Sequence, residues 1–298
     1  MEKRKSLEIA ILGAVPGEVE PLYPLLGHPR EIDLAGNAAR TGIHLGKTML
    51  IGLTGLGKVN AAITTATLLE RFSAGAVWNI GSAGAYAGAH LQIGDVIITD
   101  QNIFGDEGVL MRNGVLSARS IGIPVLSGGA GEFHDRLPSN LHPMYERIKM
   151  AAQPGPYRIL AESSPGYAIP HIPAAPEATL PPDWREAFFT LAYGPSLTVG
   201  MASGDPEVAA QRYERYRACA ENMEGSAVAH ACFRFDTPVI ECRGIANIAG
   251  NRDREQWNVD LALRNCHGIV LRLLQELRGR VPGHSPKPRK TPDKQGES

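Results

Sequence analysis

Three polar residues each stand where an apolar, strand-like run ends, and their side chains are of types that take part in catalysis. Glu18 follows LEIAILGAV, Glu224 follows ACAENM, and Asn247 ends PVIECRGIAN. In open α/β sheets, ligands bind at the carboxyl ends of the strands. A carboxylate there can act as a general base or stabilise positive charge, and an amide both donates and accepts hydrogen bonds. Each of the three is therefore a candidate catalytic residue.

Each candidate also has a simpler structural explanation. The two acids could be first-turn helix residues favoured by the helix dipole, and the amide could form a turn. Their joint occurrence with GSAGAY (81–86), which directly follows a strand, favours a site. Small residues let a flat ligand approach the backbone closely. We therefore expect Ser82, Ala83 and Gly84 to contact a substrate.

The elements that must position these residues alternate along the chain. Apolar periodicity predicts strands at 7–15, 44–55, 76–84, 95–101, 196–204, 218–224 and 238–247, and helices at 17–26, 59–72, 225–235 and 259–279. Uninterrupted apolar strands that alternate with helices indicate a mixed or parallel sheet covered on both faces. We predict an α/β fold with a single domain.

Composition limits the class of partner. The chain has 298 residues, 43% of them apolar, with 30 Lys plus Arg against 31 Asp plus Glu. This balance gives no reason to expect a nucleic acid or a membrane surface as partner, so a small molecule is expected. The start MEKRKSLEIAILGAV favours a first strand over a secretory signal. No apolar run reaches membrane-spanning length, so no membrane span is expected. The apolar settings of the four cysteines indicate reduced thiols, so we expect a cytoplasmic protein.

The cysteines and the glycine-rich loop suggest no metal or nucleotide cofactor. The four cysteines lack CxxC spacing, so we expect reduced core residues and no metal site. GLTGLGKV (52–59) has the spacing of a phosphate-binding loop, but Val59 stands where a Ser or Thr hydroxyl must reach magnesium. A structural turn is the expected role of this loop.

Two segments depart from the alternating pattern. Residues 127–185 are rich in proline and glycine, with one helix expected around 140–152, and we interpret them as an insertion within a domain spanning 1–278. The tail 279–298 is charged and proline-rich with few large apolar side chains, so we expect it to be disordered.

Seven stretches resemble motifs of the purine nucleoside phosphorylases and nucleosidases, in the order of that family. They are GAVPGEVEPL (13–22), TGLGKVNAA (54–62), NIGSAGAY (79–86), GDVIITD (94–100), VGMASGDPE (199–207), ENMEGSAVAHAC (221–232) and RGIANIAGNRDREQWN (243–258). The chain resembles most the branch that holds methylthioadenosine/S-adenosylhomocysteine nucleosidases and futalosine hydrolases. The resemblance covers nearly the whole chain outside the insertion and tail, and implies a twisted mixed sheet flanked by helices.

The resemblance implies a role for each carboxylate. In relatives, the glutamate of the MEG motif accepts hydrogen bonds from the ribose hydroxyls, which matches Glu224. Cleavage of an N-glycosidic bond passes through an oxocarbenium-like sugar, whose charge a nearby carboxylate stabilises. Glu18 matches the glutamate that activates the attacking water. Met223 is expected against the sugar face, and Arg243 is expected to order the site by pairing with an acid.

The resemblance also favours hydrolysis over phosphorolysis. Phosphorylases of this superfamily hold phosphate with arginines, one of them just before the GS motif, where this chain has Asn79. A phosphate would find no fixed cation there and would meet the charge of Glu18. Arg30 and Arg40 lie in segments without an assigned element, so a purine nucleoside phosphorylase stays open as an alternative.

Asn247 bears on the identity of the leaving base. Relatives that act on adenine carry an aspartate in RxISD, and an amide instead suits a 6-oxopurine such as hypoxanthine, because it can donate to O6 and accept from N7–H. The segment resembles futalosine hydrolases of the futalosine route to menaquinone, which implies release of hypoxanthine and dehypoxanthine futalosine. Ala246 replaces the usual serine and Glu207 the usual stacking aromatic. Base contacts are therefore expected from Phe104 or Val208.

Futalosine is an inosine with a carboxyphenyl ketone beyond C5′, so its enzyme needs a roomy pocket with a cation. Tyr86, Phe104, Tyr167 and His171 are hypothetical wall residues. Relatives build this pocket across a dimer interface, which implies a homo-oligomer, a dimer or higher. A methylthioadenosine/S-adenosylhomocysteine nucleosidase stays open as a second alternative. A noncatalytic nucleoside-binding protein is disfavoured because both carboxylates are retained.

Overall fold

Alternate side chains of the central strands enter two apolar layers on opposite faces of one sheet. The computed structural model describes residues 4–112, 114–128, 131–139, 142–159, 170–171 and 188–276. In β2 (Ile9–Gly13), Ile9 and Ile11 pack into one layer, whereas Ala10 and Leu12 pack into the other. Because successive strand residues point to opposite faces, a strand that is apolar throughout is buried on both sides. The predicted α/β class is confirmed.

The central sheet is mixed, as predicted. In spatial order its strands are β15 (Pro170–His171), β14 (Gly155–Ile159), β16 (Phe188–Thr198), β8 (Val96–Phe104), β18 (Val239–Ile248), β7 (Val77–Ala85), β2, β5 (Lys47–Leu53), β4 (Asn37–His44) and β3 (Gly27–Leu34). Strand β2 runs parallel to β5 and β7, β7 parallel to β18, and β8 parallel to β16. The pair β18 and β8 is antiparallel. The parallel strands β2, β7 and β18 therefore end at one edge.

Shorter strands complete the described fold. Strand β17 (Ala220–Asn222) pairs with both β16 and β7, and β13 (Arg136–Pro138) pairs with β8. Three small two-stranded sheets also form, from β1 (Lys5–Leu7) with β6 (Phe72–Ala74), β9 (Gly108–Met111) with β10 (Gly114–Ser117), and β11 (Leu126–Gly128) with β12 (Gly131–Phe133).

Helices cover both faces of the sheet. Helices α2 (Lys58–Arg71) and α5 (Gly225–Arg234) pack on the face that includes Leu12, and α3 (Pro143–Ala151) and α6 (Val259–Glu276) on the face that includes Ile11. The short α1 (Pro16–Val19) leads into a 3₁₀ segment at Glu20–Leu25. Helix α4 (Pro206–Tyr216) begins at a proline, with the side chain of Asp205 accepting from the Val208 N–H at 2.9 Å. Further 3₁₀ turns lie at Ala87–Ala89 and Arg254–Gln256.

The structure corrects the sequence analysis at three elements. The strand predicted at 196–204 is β16, which begins at Phe188 and ends at Thr198. The hairpin of β3 and β4 was not predicted. Within 127–185, the helix expected around 140–152 is present as α3, but short strands flank it. The predictions for Tyr167 and for the tail 279–298 lie outside the described residues.

From the sequence, neither a membrane span, a metal site nor a disulfide was expected. Across the described ranges, no helix is both long and apolar enough to cross a bilayer. The same ranges contain no group of three His, Cys, Asp or Glu side chains placed to hold a metal ion. Cys232, Cys242 and Cys266 are buried free thiols, and Cys219 is a half-buried one.

Candidate active site

A cavity of about 240 Å³ lies where β2, β7, β17 and β18 end. Its lining brings together most of the residues singled out from the sequence, namely Glu18, Ser82, Ala83, Gly84, Met223, Glu224 and Asn247. The two carboxylates come from chain segments far apart in sequence, yet both are 4% exposed. Because burying a carboxylate costs free energy, specific hydrogen bonds or charges must stabilise both of these side chains.

Glu18 is held at both carboxylate oxygens by backbone donors. Its Oε2 accepts from the Ala14 N–H at 2.7 Å and its Oε1 accepts from the Ser82 N–H at 3.0 Å. The Ser82 hydroxyl is a longer contact at 3.4 Å. Next to it, Gly81 has a φ of +155°, and a Cβ at this position would collide with the Glu18 carboxylate and with the Arg243 guanidinium. A glycine at this position of β7 is therefore required for the carboxylate to fit.

Glu224 is held by the glycine-rich loop and by a buried arginine. Its Oε1 accepts from the Gly57 N–H at 2.9 Å, and its Oε2 lies 3.9 Å from Arg243 Nη1. The loop expected to be only a turn thus positions a candidate catalytic side chain. Asn222 orients the same segment, because its Oδ1 accepts from the N–H groups of Glu224 at 3.1 Å and Gly225 at 2.7 Å.

Behind Glu224, a second carboxylate anchors the arginine. Arg243 is 1% exposed and its Nε donates to Glu241 Oε1 at 2.8 Å. Glu241, which is fully buried, also accepts from the Asn222 amide at 3.1 Å and the Asn79 amide at 3.4 Å. Asn102 adds a third amide donor: with its Nδ2 turned towards Glu241, it donates to Glu241 Oε2 at 2.6 Å. Arg243 therefore does not line the cavity: it orders the carboxylate that does.

Electrostatics leave this site with an excess of negative charge. Burial raises the pKa of Glu224, Arg243 and the Gly57 N–H oppose the rise, and the Glu18 and Glu241 charges add to it. Burial alone would lower the pKa of Arg243, but Glu241, Glu224 and Glu18 together raise it. The guanidinium therefore stays charged, with three carboxylates near it. Such a site favours a ligand that becomes cationic and disfavours an anion.

Asn247 reaches the cavity through a bulge in β18. The pairing of β18 with β7 shifts register between Ile245 and Asn247, so that Asn247 pairs with Gly84. A bulge of this kind re-aims a side chain. The Asn247 Nδ2 donates to the Ile248 carbonyl at 3.0 Å. A Cβ on Gly84 would approach the Asn247 amide to 3.2 Å, so glycine there leaves room beside it.

Two residues predicted to contact the base lie outside the lining of this cavity. Phe104 is 6% exposed and packs in the layer between the sheet and helices α2 and α5, with His230 edge-on at 6.0 Å. Val208 lies in the first turn of α4, where its N–H is bonded to Asp205. Neither residue is among those that line the cavity.

The two arginines considered for phosphate binding and the predicted wall residue Tyr86 also lie outside the lining of this cavity. Arg40 pairs with Glu31 at 3.2 Å and lies over the Tyr23 ring, and Arg30 is exposed on β3. Tyr86 is fully buried, and its hydroxyl donates to Glu221 at 2.8 Å.

A family model described as the phosphorylase superfamily matches residues 8–275. The chain belongs to the phosphorylase superfamily. Among curated relatives, the 5′-methylthioadenosine/S-adenosylhomocysteine nucleosidase of Lysinibacillus sphaericus is 29% identical over 279 residues, covering 91% of this chain and 100% of the relative. That of Psychromonas ingrahamii is 26% identical over 277 residues, with coverages of 91% and 100%.

Solved structures share the fold of this phosphorylase-superfamily member. The Colwellia psychrerythraea methylthioadenosine/S-adenosylhomocysteine nucleosidase in complex with adenine aligns with a TM-score of 0.67 at 22% identity, over 93% of this chain and 98% of that one. Helicobacter pylori futalosine hydrolase aligns with a TM-score of 0.66 at 19% identity, over 92% and 98%. The predicted class of enzyme, an N-glycosyl hydrolase, is confirmed by the nucleosidases among its relatives.

Several residues of this superfamily member's site were missed in the sequence. Glu241 is a lone acid in an apolar strand, two residues before Arg243 and so on the same side of β18, which was a usable signal. Glu221, Arg252 and Trp257 line the cavity but had no assigned role at the base or sugar.

Proposed function

We propose that this protein is a nucleosidase that hydrolyses the N-glycosidic bond of a futalosine-type 6-oxopurine nucleoside, releasing hypoxanthine and dehypoxanthine futalosine. One observation carries the proposal: two buried carboxylates and a neutral amide line a single cavity, Glu18 and Glu224 with Asn247. The acids fit a sugar that becomes cationic, and the amide fits a base with an oxygen at C6.

Glu18 is proposed as the general base. Backbone donors fix both of its oxygens, so the carboxylate keeps one orientation while the substrate binds. The hydroxyl of Ser82, at 3.4 Å, is a weak contact whose place a water molecule can take. Proton transfer from that water to Glu18 would generate the nucleophile, an effect typically worth a factor of about 10² to 10⁴.

Glu224 is proposed to bind the ribose hydroxyls. One of its oxygens is anchored by Gly57 and the other lies 3.9 Å from Arg243, so the side chain has a fixed direction without a close ion pair. As the glycosidic bond breaks, the sugar gains positive charge and its hydroxyls become stronger donors. The interaction is therefore strongest in the transition state, which is the condition for catalysis.

Asn247 is proposed to select the base. Because its amide nitrogen already donates to the Ile248 carbonyl, one N–H and the Oδ1 acceptor are available for a ligand. Hypoxanthine uses both, through O6 and the protonated N7. Adenine carries an amino group at C6, so a donor would face the amide N–H, at a cost of roughly 1 to 3 kcal/mol. Asn247 cannot supply a proton, which must reach the base from water or from another side chain.

The mouth of the cavity suits a large, acidic 5′ substituent. Apolar side chains line it, including Leu56, which is 60% exposed, and Val259, which is 40% exposed. Within the described part of the chain, Arg252 is the cation among the lining residues, and its guanidinium lies 4.8 Å from the centre of the Trp257 ring. An aromatic carboxylate could stack on the indole and pair with the guanidinium.

A base-release assay tests the proposal. Purified protein is incubated with futalosine, inosine and methylthioadenosine, with and without phosphate, and the free base is measured. We expect hypoxanthine from futalosine at a rate independent of phosphate. Adenine release from methylthioadenosine as the main activity would contradict the role of Asn247 and would match the names of the curated relatives. Release that requires phosphate would contradict hydrolysis.

A further inference from the structure

Glu221 lies on the wall of the same cavity, and the proposed mechanism leaves it without a role. Gly84 of β7 pairs with Glu221 on β17 and with Asn247 on β18. Residues directly opposite each other in a sheet project from the same face. Two strand spacings of about 4.8 Å each separate the flanking backbones. Glu221 and Asn247 thus stand on either side of a glycine floor that carries no side chain.

The Glu221 carboxylate is fixed by protein donors that are distributed unevenly. Its Oε2 accepts from Ser203 Oγ at 2.7 Å, from the Tyr86 hydroxyl at 2.8 Å and from Arg212 Nη1 at 3.3 Å. Its Oε1 accepts from the Ser203 N–H at 2.7 Å. Within the segments that the structure describes, Oε1 therefore receives one donor, and a carboxylate oxygen can accept a second.

We infer that Glu221 is a specificity-determining residue that accepts a hydrogen bond from N1–H of a 6-oxopurine. This inference rests on the proposed function, which it deepens. A 6-oxopurine carries a proton on N1, whereas N1 of adenine is an acceptor, so a carboxylate attracts the first base and repels the second. Asn247 would hydrogen-bond the base at O6 and N7, and Glu221 would accept from N1–H on the other side of O6. The site then discriminates at two independent positions.

The competing role of Glu221 is purely structural. Its contacts with Ser203 and Arg212 tie the 199–205 loop and helix α4 to β17, and Arg212 also donates to the Met201 carbonyl at 2.9 Å. Loss of that tie would weaken binding of every base to the same degree. Loss of an N1–H acceptor would change the ratio between bases that differ at N1 alone.

Calorimetric binding of hypoxanthine and 1-methylhypoxanthine separates the two roles, because the methyl group removes the N1–H donor. We expect the wild-type protein to bind hypoxanthine roughly 10- to 100-fold more tightly, as for a hydrogen bond to a charged group. Glu221→Leu should bring that ratio towards one. Glu214→Leu, the same change at an exposed position of α4 outside the cavity, should keep the wild-type ratio.

Equal binding of the two bases by the wild-type protein would overturn the inference, and this comparison needs no variant to fold. Failure of the wild-type protein to bind hypoxanthine would overturn it too, as would a wild-type ratio retained in Glu221→Leu. The proposed reaction fails on different grounds. If hypoxanthine binds with the expected ratio but no nucleoside is hydrolysed, the proposed function is wrong while the recognition of N1–H stands.

Discussion

Replacing Glu18 by glutamine should lower both the stability of the fold and the rate of catalysis. The two losses differ in size and can be measured separately. Ala14 and Ser82 donate backbone N–H groups to opposite oxygens of the carboxylate, at 2.7 and 3.0 Å. A glutamine can accept only one of these bonds, since its NH₂ group must face the other N–H. An unsatisfied buried donor costs about 1 to 3 kcal/mol. Glu18→Gln should therefore lower the free energy of unfolding by that amount.

The catalytic loss should be larger than the loss of stability. Removing a general base lowers kcat by a factor of about 10² to 10⁴, whereas nucleoside binding should persist because the cavity wall is kept. The assay measures base release under single-turnover conditions, with calorimetric binding of the substrate and urea unfolding of each variant. Glu20→Gln is the matched control, because it makes the same charge change two residues away at an exposed position outside the cavity.

Wild-type turnover by Glu18→Gln would refute the assignment of the general base. A fall in kcat matched by an equal fall in substrate affinity would also contradict it, since that pattern belongs to a distorted site. Rescue of Glu18→Ala by added formate, without a change in the fraction of folded protein, would support a role for the carboxylate itself in activating water.

Four further predictions follow from the site and its surroundings. Asn247→Asp should shift base release from hypoxanthine towards adenine by roughly 5- to 150-fold in the ratio of kcat/KM, measured with inosine and adenosine. Glu224 must be ionised to accept from the ribose and its pKa is raised, so kcat/KM should fall on the acid side at a pH above the ordinary value of 4.5; an acid limb at or below 4.5 would contradict this. Gly81→Ala should destabilise the fold by about 1 to 3 kcal/mol and abolish activity, whereas Gly128→Ala, with open space around it, should do neither in urea unfolding and base release. Light scattering should show a dimer or higher oligomer, and a monomer at working concentrations would contradict the expected assembly.

The parts of the site that could be predicted follow from strand direction. Glu18 follows β2, and the GS motif and Asn247 lie in the carboxyl-terminal halves of β7 and β18. Because these three strands run parallel, their carboxyl ends meet at one edge of the sheet. That argument needs only the order of apolar strands and helices. It brought together residues far apart in sequence without any knowledge of contacts.

The parts that could not be predicted depend on which face a side chain occupies. Phe104 stands at the end of β8, which runs antiparallel to β18, and its ring packs between the sheet and helices α2 and α5 against His230. Alternation along a strand fixes relative faces and not which face meets the ligand. The β3–β4 hairpin was missed because β3 is mostly exposed and so lacks a continuous buried face. Its turn at Ala35 and Gly36, with φ values of 57° and 88°, did carry a glycine signal that was not used.

The charge balance around Arg243 explains how a site with excess negative charge can be stable before substrate binds. Glu241 has no solvent contact, yet amides from three strands and the guanidinium supply its donors. Neutral amides can satisfy a carboxylate without cancelling its charge. Because Arg243 is engaged closely by Glu241 at 2.8 Å and only distantly by Glu224 at 3.9 Å, most of the charge on Glu224 remains available to the cavity. The fold therefore neutralises the acid that faces the core and leaves the acid that lines the cavity able to attract positive charge.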